Sequence, residues 1–308
     1  MIVVLTGGTG GAKLVEGLAA VTNPADLTIV CNTGDDCIFH GLHISPDIDT
    51  IVYTMAGLND ADKGWGIKGD TFTALEQLRR LGNDAWFNLG DKDLAMHITR
   101  TQLLGEGRTL SEITAKIRRS LGVRATIMPM SDERVETFVK TPAGEIAFQE
   151  FFVRERWTPE VLGVRLAGVE NSCPAPGVIE AIHAAEAIIV CPSNPVTSIG
   201  PILAVPGIRH ALEMADAPVI GVSPVIGNSA ISGPAHKLML ACGCEASALG
   251  VAKSYGDFLD LLLIDMADHQ LVGAIERLDI QTVCADIRMN SAIDKARLAQ
   301  QLLALIKK

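Results

Sequence analysis

Five short apolar runs constrain the fold before anything else is read: "IVVL" near the start, "LTIVC" from Leu27, "AIIVC" from Ala187, "VIGV" from Val219 and "LLLI" from Leu261. A run that is apolar at nearly every position, rather than at every second one, belongs to a strand buried on both faces. Strands of a parallel sheet covered by helices are buried in this way. Most of these runs are followed by a polar or glycine-rich cluster and a helical pattern. Aromatic residues are only 4% of the chain, so small aliphatic residues must carry the core. The expected class is α/β, a doubly wound Rossmann-like fold with a mostly parallel sheet.

Helical patterns are expected over 71–81, 94–104 and 110–121 and in "AIDKARLAQQLLALI", and "AWFNLGD" reads as a further short strand. Between about 124 and 170 the character changes. "ATIMPMS", "RVETFVKT", "GEIAFQEFFV" and "VLGVRLAG" are β-like, with "TPAG" as a hairpin turn. This predicts a smaller β-rich section embedded in one α/β unit spanning 1–308.

The formal charge of −10 over 308 residues argues against a nucleic-acid backbone as the main partner. The apolar runs are too short to span a bilayer, and no leader pattern precedes the first one. A cytoplasmic protein without membrane or nucleic-acid partners is therefore expected. Its seven scattered cysteines, including the narrow pair in "CGC", suit reduced thiols rather than a zinc site.

In a doubly wound sheet, ligands bind beyond the carboxyl ends of the strands. The polar clusters sit there: "TGGTGGAK", "NTGDD", "NLGDKD" and "PSNPVTSIG". In the first, Gly7, Gly8, Gly10 and Gly11 lead into a helix. Ala12 and Leu14 flank Lys13, so it is no Walker loop, and Lys13 stands where a dinucleotide fingerprint wants glycine. The loop is either an anion site of backbone N–H groups with Lys13 beside them, or a tight turn that packs the helix close to the strand.

Asn32, Thr33, Asp35 and Asp36 cluster in "NTGDD", and Asp47 and Asp49 in "SPDIDT". On an extended segment Asp47 and Asp49 would share a face. Gathered carboxylates beside a phosphate loop suit a hard cation or a proton acceptor, while caps and turns account for them equally well one at a time. Asp91, Lys92, Asp93, His97 and Arg100 crowd one helix start. Asn194 and Ser198 lie in a proline-bracketed loop that suits either a ligand grip or a helix cap.

"GGTGGAK", "NTGDD", "HGLHISPDIDT", "GWGIKGDTF", "WFNLGDKDLAMHI", "SDERVET", "FQEFFV", "PGVIEAI" and "PSNPVTSIGPIL" occur in one order as far as about Ile226. In this the chain resembles the 2-phospho-L-lactate transferases of coenzyme F420 biosynthesis, and "GWG" is similar to the phosphoenolpyruvyl-transferring bacterial members. The resemblance implies a magnesium-assisted transfer from a guanosine diphospho-linked acid to the ribityl hydroxyl of the deazaflavin Fo. GMP would be released, and the protein would be a homodimer. It also implies that Gly7, Gly8, Thr9, Gly10, Gly11 and Lys13 face the donor phosphates, with Asn32, Asp35, Asp36 and Asp91 also in the binding site. Asp49 and Lys92 would meet Fo, and Asn194 and Ser198 the guanosine phosphate end. Asp49 and Asp62 are the expected catalytic and magnesium carboxylates. Two alternatives stand beside it. One is a non-catalytic nucleotide-sugar-binding regulator, which would carry a "PPGD"-like stretch in place of "SPDIDT". The other is a Rossmann dehydrogenase, which Lys13 disfavours.

Overall fold

The computed structural model describes residues 1–60, 63–227, 229–230 and 233–306. The strands in chain order are β1 (Ile2–Thr6), β2 (Leu27–Cys31), β3 (Cys37–Phe39), β4 (Leu42–Ile44), β5 (Thr126–Pro129), β6 (Glu136–Thr141) and β7 (Gly144–Ala147). They continue with β8 (Gly163–Ala167), β9 (Ala187–Val190), β10 (Val219–Val222), β11 (Val225–Ile226), β12 (Ser229–Ala230), β13 (Leu261–Asp265) and β14 (Gln281–Ala285). Seven of them form one parallel sheet in the order β14-β13-β10-β9-β1-β2-β5. Successive side chains enter opposite layers: Val3 and Leu5 pack in one core, Val4 and Ile29 in the other. The chain winds outward through β2 and β5, then returns to lay β9 against the far side of β1. A crevice opens where the winding reverses, between the ends of β1 and β9.

The first helices are α1 (Gly8–Val21), α2 (Pro46–Met55), α3 (Thr73–Arg80), α4 (Asp91–Gly105) and α5 (Leu110–Ser120). Helix α1 starts inside the glycine run rather than after it, and Gly8 takes a φ of +65° at its first position. Its outer face packs on the helix Ala292–Ile306, where a β-carbon on Gly17 would run into the Lys295 carbonyl oxygen. Gly17→Ala is therefore expected to lose about 1–3 kcal/mol of stability despite alanine's better helix propensity. Urea unfolding measures this.

Four local expectations are corrected. "ATIMPMS" supplies β5, an edge strand of the main sheet, so the separate antiparallel sheet is only β7-β6-β8, within 136–167. The "FQEFFV" stretch is not a strand but leads into a π-helical turn, Glu150–Arg154. Its aromatic spacing is three and four rather than two, which lets Phe148 stack on Phe152 at 5.6 Å. "AWFNLGD" pairs with no strand. Trp86 and Phe87 instead pack around Phe39 of the β3–β4 hairpin, with ring centroids at 5.4 and 5.8 Å. Finally, "PDIDT" is the first turn of α2, not an extended segment, so Asp47 and Asp49 point to different partners.

Candidate functional site

A cavity of about 430 Å³ fills the crevice beyond β1, β2 and β9. At one end, Gly7 to Gly10 bring the start of α1 to the wall, opposite Pro192 to Asn194 and Ser198. The Gly8 N–H donates to Asp47 Oδ1 at 2.7 Å. Thr9 and Gly10 stand in the first turn, where amides have no intrahelical acceptor. Close approach requires the glycines: a β-carbon on Gly10 would lie 2.6 Å from the Pro192 oxygen, and one on Gly7 2.7 Å from Asp47 Oδ2. Ser193 Oγ donates to the Gly7 carbonyl at 2.6 Å and so locks the two loops together.

Asn32 ties this end to the rest of the site. Its Nδ2 donates to Asp47 Oδ2 (2.9 Å) and to the Thr197 carbonyl (3.1 Å). Asp47 is thereby aimed at the glycine turn from across the crevice. Asp35 lies on the same wall, buried, with Oδ1 lacking any hydrogen-bond partner. Burial, then the charges of Asp47 and Asp36, raises the Asp35 carboxyl well above the usual range. Burial likewise pushes Asp47 up to about 6. Asp36 turns away and accepts from Ser45 Oγ (2.6 Å) while facing His43 Nε2 (3.0 Å).

A second group lines the cavity further along. Asp49 faces the fully buried Arg100 in a two-pronged pair, with Arg100 Nη1 3.1 Å from Oδ2 and Nη2 on Oδ1. His97 stands one turn before Arg100, and its Nδ1 is 3.3 Å from Arg100 Nη1. A guanidinium only donates, so this contact assigns Nδ1 as the acceptor and favours the tautomer with its proton on Nε2. Burial lowers His97 to about 4, which keeps it neutral near pH 7.

Tyr53 donates its hydroxyl to Asp93 Oδ1 at 2.6 Å. Burial, reinforced by the charges of Asp49 and Asp70, pushes Asp93 up to about 6. The folded protein thus holds this proton more tightly than the unfolded chain, whose carboxylate titrates near ~4. The contribution to stability is full below that value and is lost as pH rises to about 6. Asp93→Asn, which can keep the Tyr53 hydrogen bond, should raise the melting temperature of metal-free protein above pH 6, and the gain should vanish below about 4. Thermal unfolding across that range checks it. The cavity also has an aromatic lining of Trp65, Phe87, Phe148 and Phe152, with Gln149 among them donating to the Asp35 carbonyl at 3.2 Å.

The residues expected from the sequence divide accordingly. Gly7, Gly8, Thr9, Gly10, Asp35, Asp49, Asn194 and Ser198 line the cavity. Gly11, Asn32 and Asp36 stand behind the wall, Gly11 against Thr6 and Ser193. Lys13 is exposed in a neighbouring cleft rather than in the cavity, since it lies a full turn beyond the helix start. Asp91 and Lys92 are likewise off the wall. Asp91 accepts from Thr71 Oγ1, Thr73 N and Ala74 N at the start of α3, which lowers it to about 2. Asp70 in turn accepts from Lys92 N and Asp93 N at the start of α4, so the two helices cap one another. Lys92 Nζ holds the carbonyls of Lys68 and Gly69. Asp62 lies outside the described residues. Asp47 was expected only as one of the gathered carboxylates or as a cap, while Tyr53 and the aromatic wall carried no assigned role in the sequence. Their signal lay only in their motifs.

Residues 2–305 match the family described as 2-phospho-L-lactate transferase CofD. The chain is 42% identical over 299 residues to a 2-phospho-L-lactate transferase of Methanosarcina mazei, covering 97% of this chain and 98% of that one. The chain belongs to this transferase family. It is also 44% identical over 312 residues to a phosphoenolpyruvate transferase of Streptomyces griseus, covering 99% and 98% of the two chains. A UPF0052-family protein of Bacillus halodurans shares the fold at a TM-score of 0.63 and 18% identity, over 98% of both chains. The family match runs through every wall of the transferase's cavity. No helix among its described residues is long and apolar enough to cross a membrane.

Proposed function

We propose that this transferase moves a phospho-acid group, 2-phospholactate or its enolpyruvyl or glyceryl counterpart, onto the ribityl hydroxyl of Fo in coenzyme F420 biosynthesis. The donor is a guanosine diphospho-linked acid. The hydroxyl oxygen bonds to the phosphorus that bears the acid, the bond to GMP breaks, and the product is a phosphodiester. One observation carries this reading: a single cavity joins a glycine helix start, suited to phosphates, to an aromatic wall suited to a flat ring.

The residue roles follow from position. The amides of Thr9 and Gly10 hold donor phosphate oxygens, with Asn194 and Ser198 closing over the nucleotide side. Trp65, Phe87, Phe148 and Phe152 offer faces and edges to the deazaflavin. Asp93, with Oδ1 fixed by Tyr53 and its pKa near 6, is the wall carboxylate suited to take the hydroxyl proton. His97 supplies a neutral Nε2–H donor toward the transferred phosphoryl group.

The described wall carries Asp35, Asp47, Asp49 and Asp93 but neither Lys nor Arg, an unusual lining for a polyanionic donor. Among the described residues no group of three or more His, Cys, Asp or Glu forms a metal cage. Magnesium, however, is commonly held by one or two carboxylates with phosphate oxygens and water completing its shell. Asp35, with its unpartnered buried oxygen, and Asp47 beside it fit that donor set. Asp49, engaged by Arg100, fits it less well and instead anchors the wall beside His97. When bound, the cation would neutralise phosphate charge. Thermal shift offers a first test: stabilisation by Fo is expected, whereas a response to UDP-sugars alone would favour the regulator.

A further inference from the structure

A second cleft, of about 40 Å³, opens beside the main cavity and shares Thr9, Thr50, Tyr53, Trp65 and Gly66 with it as a common wall. The cleft supplies the cations that the cavity's described wall lacks: Lys13 and Lys295 both line it. Lys295 is already committed, with Nζ 2.7 Å from Glu16 Oε2. Lys13 has no hydrogen-bonding or ion-pair partner among the described residues.

We propose that this cleft seats the carboxylate of the transferred acid, with Lys13 as its counter-ion. The inference rests on the function proposed above. Lactate and enolpyruvate esters carry a carboxylate on the very carbon that bears the phosphoester oxygen, as does a glycerate ester joined through its C2 oxygen, so the carboxylate lies close to the phosphoryl group. Thr9 and Lys13 are one turn apart on the same face of α1, about 6 Å along the axis. Helical side chains lean toward the N-terminus, which carries Lys13 back toward the Thr9 amide. A space of about 40 Å³ admits a small planar anion but neither a nucleoside nor a deazaflavin. Asn59, Thr50 and Thr54 add polar groups to its lining, and the carboxylate there, Glu16, is neutralised by Lys295. The glycine turn and Lys13 thus serve different groups of one substrate: the turn takes the phosphates and the lysine takes the acid.

The test is steady-state kinetics of the full chain with Fo and magnesium, using two donors. One is guanosine diphospho-enolpyruvate, and the other is the vinyl analogue that lacks its carboxylate. For Lys13→Met the KM for the first donor should rise about tenfold, while kinetics with the vinyl donor should match wild type. Lys13→Arg should restore most of the loss. An equal loss with both donors would make Lys13 a phosphate or structural residue and overturn the proposal, as would no change with either. A wild-type protein that turns over neither these donors nor their lactyl and glyceryl counterparts would overturn the functional reading itself, and the subsite with it.

Discussion

Arg100→Met is expected to destabilise the protein by about 3–5 kcal/mol. Arg100 is 1% exposed and Asp49 is 4% exposed. Removing the guanidinium leaves a largely buried carboxylate with no cation paired with it. The loss would not stop at the pair. Arg100 Nη1 also contacts the His43 carbonyl at 3.3 Å and faces His97 Nδ1, so α4, the β3–β4 hairpin and α2 are all joined through one side chain. Arg100→Lys should fall between the two, because an ammonium cannot reproduce the planar fork. The double variant Arg100→Met with Asp49→Leu should be more stable than Arg100→Met alone, since it removes the stranded charge. Urea unfolding of these proteins together with Asp49→Leu alone measures the coupling. A single-variant loss below about 1 kcal/mol would mean the pair is solvated and the account of this wall is wrong.

The second large effect is on turnover. Asp47→Ala removes the acceptor of the Gly8 N–H and the partner of Asn32 Nδ2. It also removes one of the two carboxylates assigned to magnesium. A cation's charge stabilisation is worth several kcal/mol in phosphoryl chemistry, so kcat should fall roughly 10³-fold. Asp35→Asn keeps the volume but weakens an oxygen that has no other partner, and a loss of comparable size is expected. Both variants should need more magnesium for half-maximal rate than wild type does. Fo binding, followed by fluorescence, should change little, because neither substitution removes an aromatic side chain of the cavity. A variant with normal magnesium dependence would move the metal elsewhere, with Asp49 or Asp62 the next carboxylates to test.

Five of the sheet's seven strands were legible because they are apolar at almost every position. Its site was legible in outline, because polar clusters after β1, β2 and β9 must converge at the winding reversal. Finer errors came from features that sequence spacing does not encode. "PDIDT" reads as alternating, yet Pro46 at the first helical position turns it into α2 and sends Asp47 and Asp49 to different partners. Asp91 resembled a ligand, but its acceptor geometry serves the start of α3, and a cap and a ligand are the same residue type in sequence. "AWF" has strand-forming residues and no free strand to pair with. β14, Gln281–Ala285, went unnoticed because its burial is only partial.

The central claim is that this cavity joins a guanosine diphospho-linked acid to Fo. Mass spectrometry of a reaction holding protein, magnesium, Fo and guanosine diphospho-lactate, -enolpyruvate or -glycerate tests it most directly. The expected result is an Fo phosphodiester of at least one acid, formed in equal amount with GMP and slowed roughly 10³-fold by Asp47→Ala. GMP released without any Fo adduct, or no turnover of any of the three donors, would contradict it.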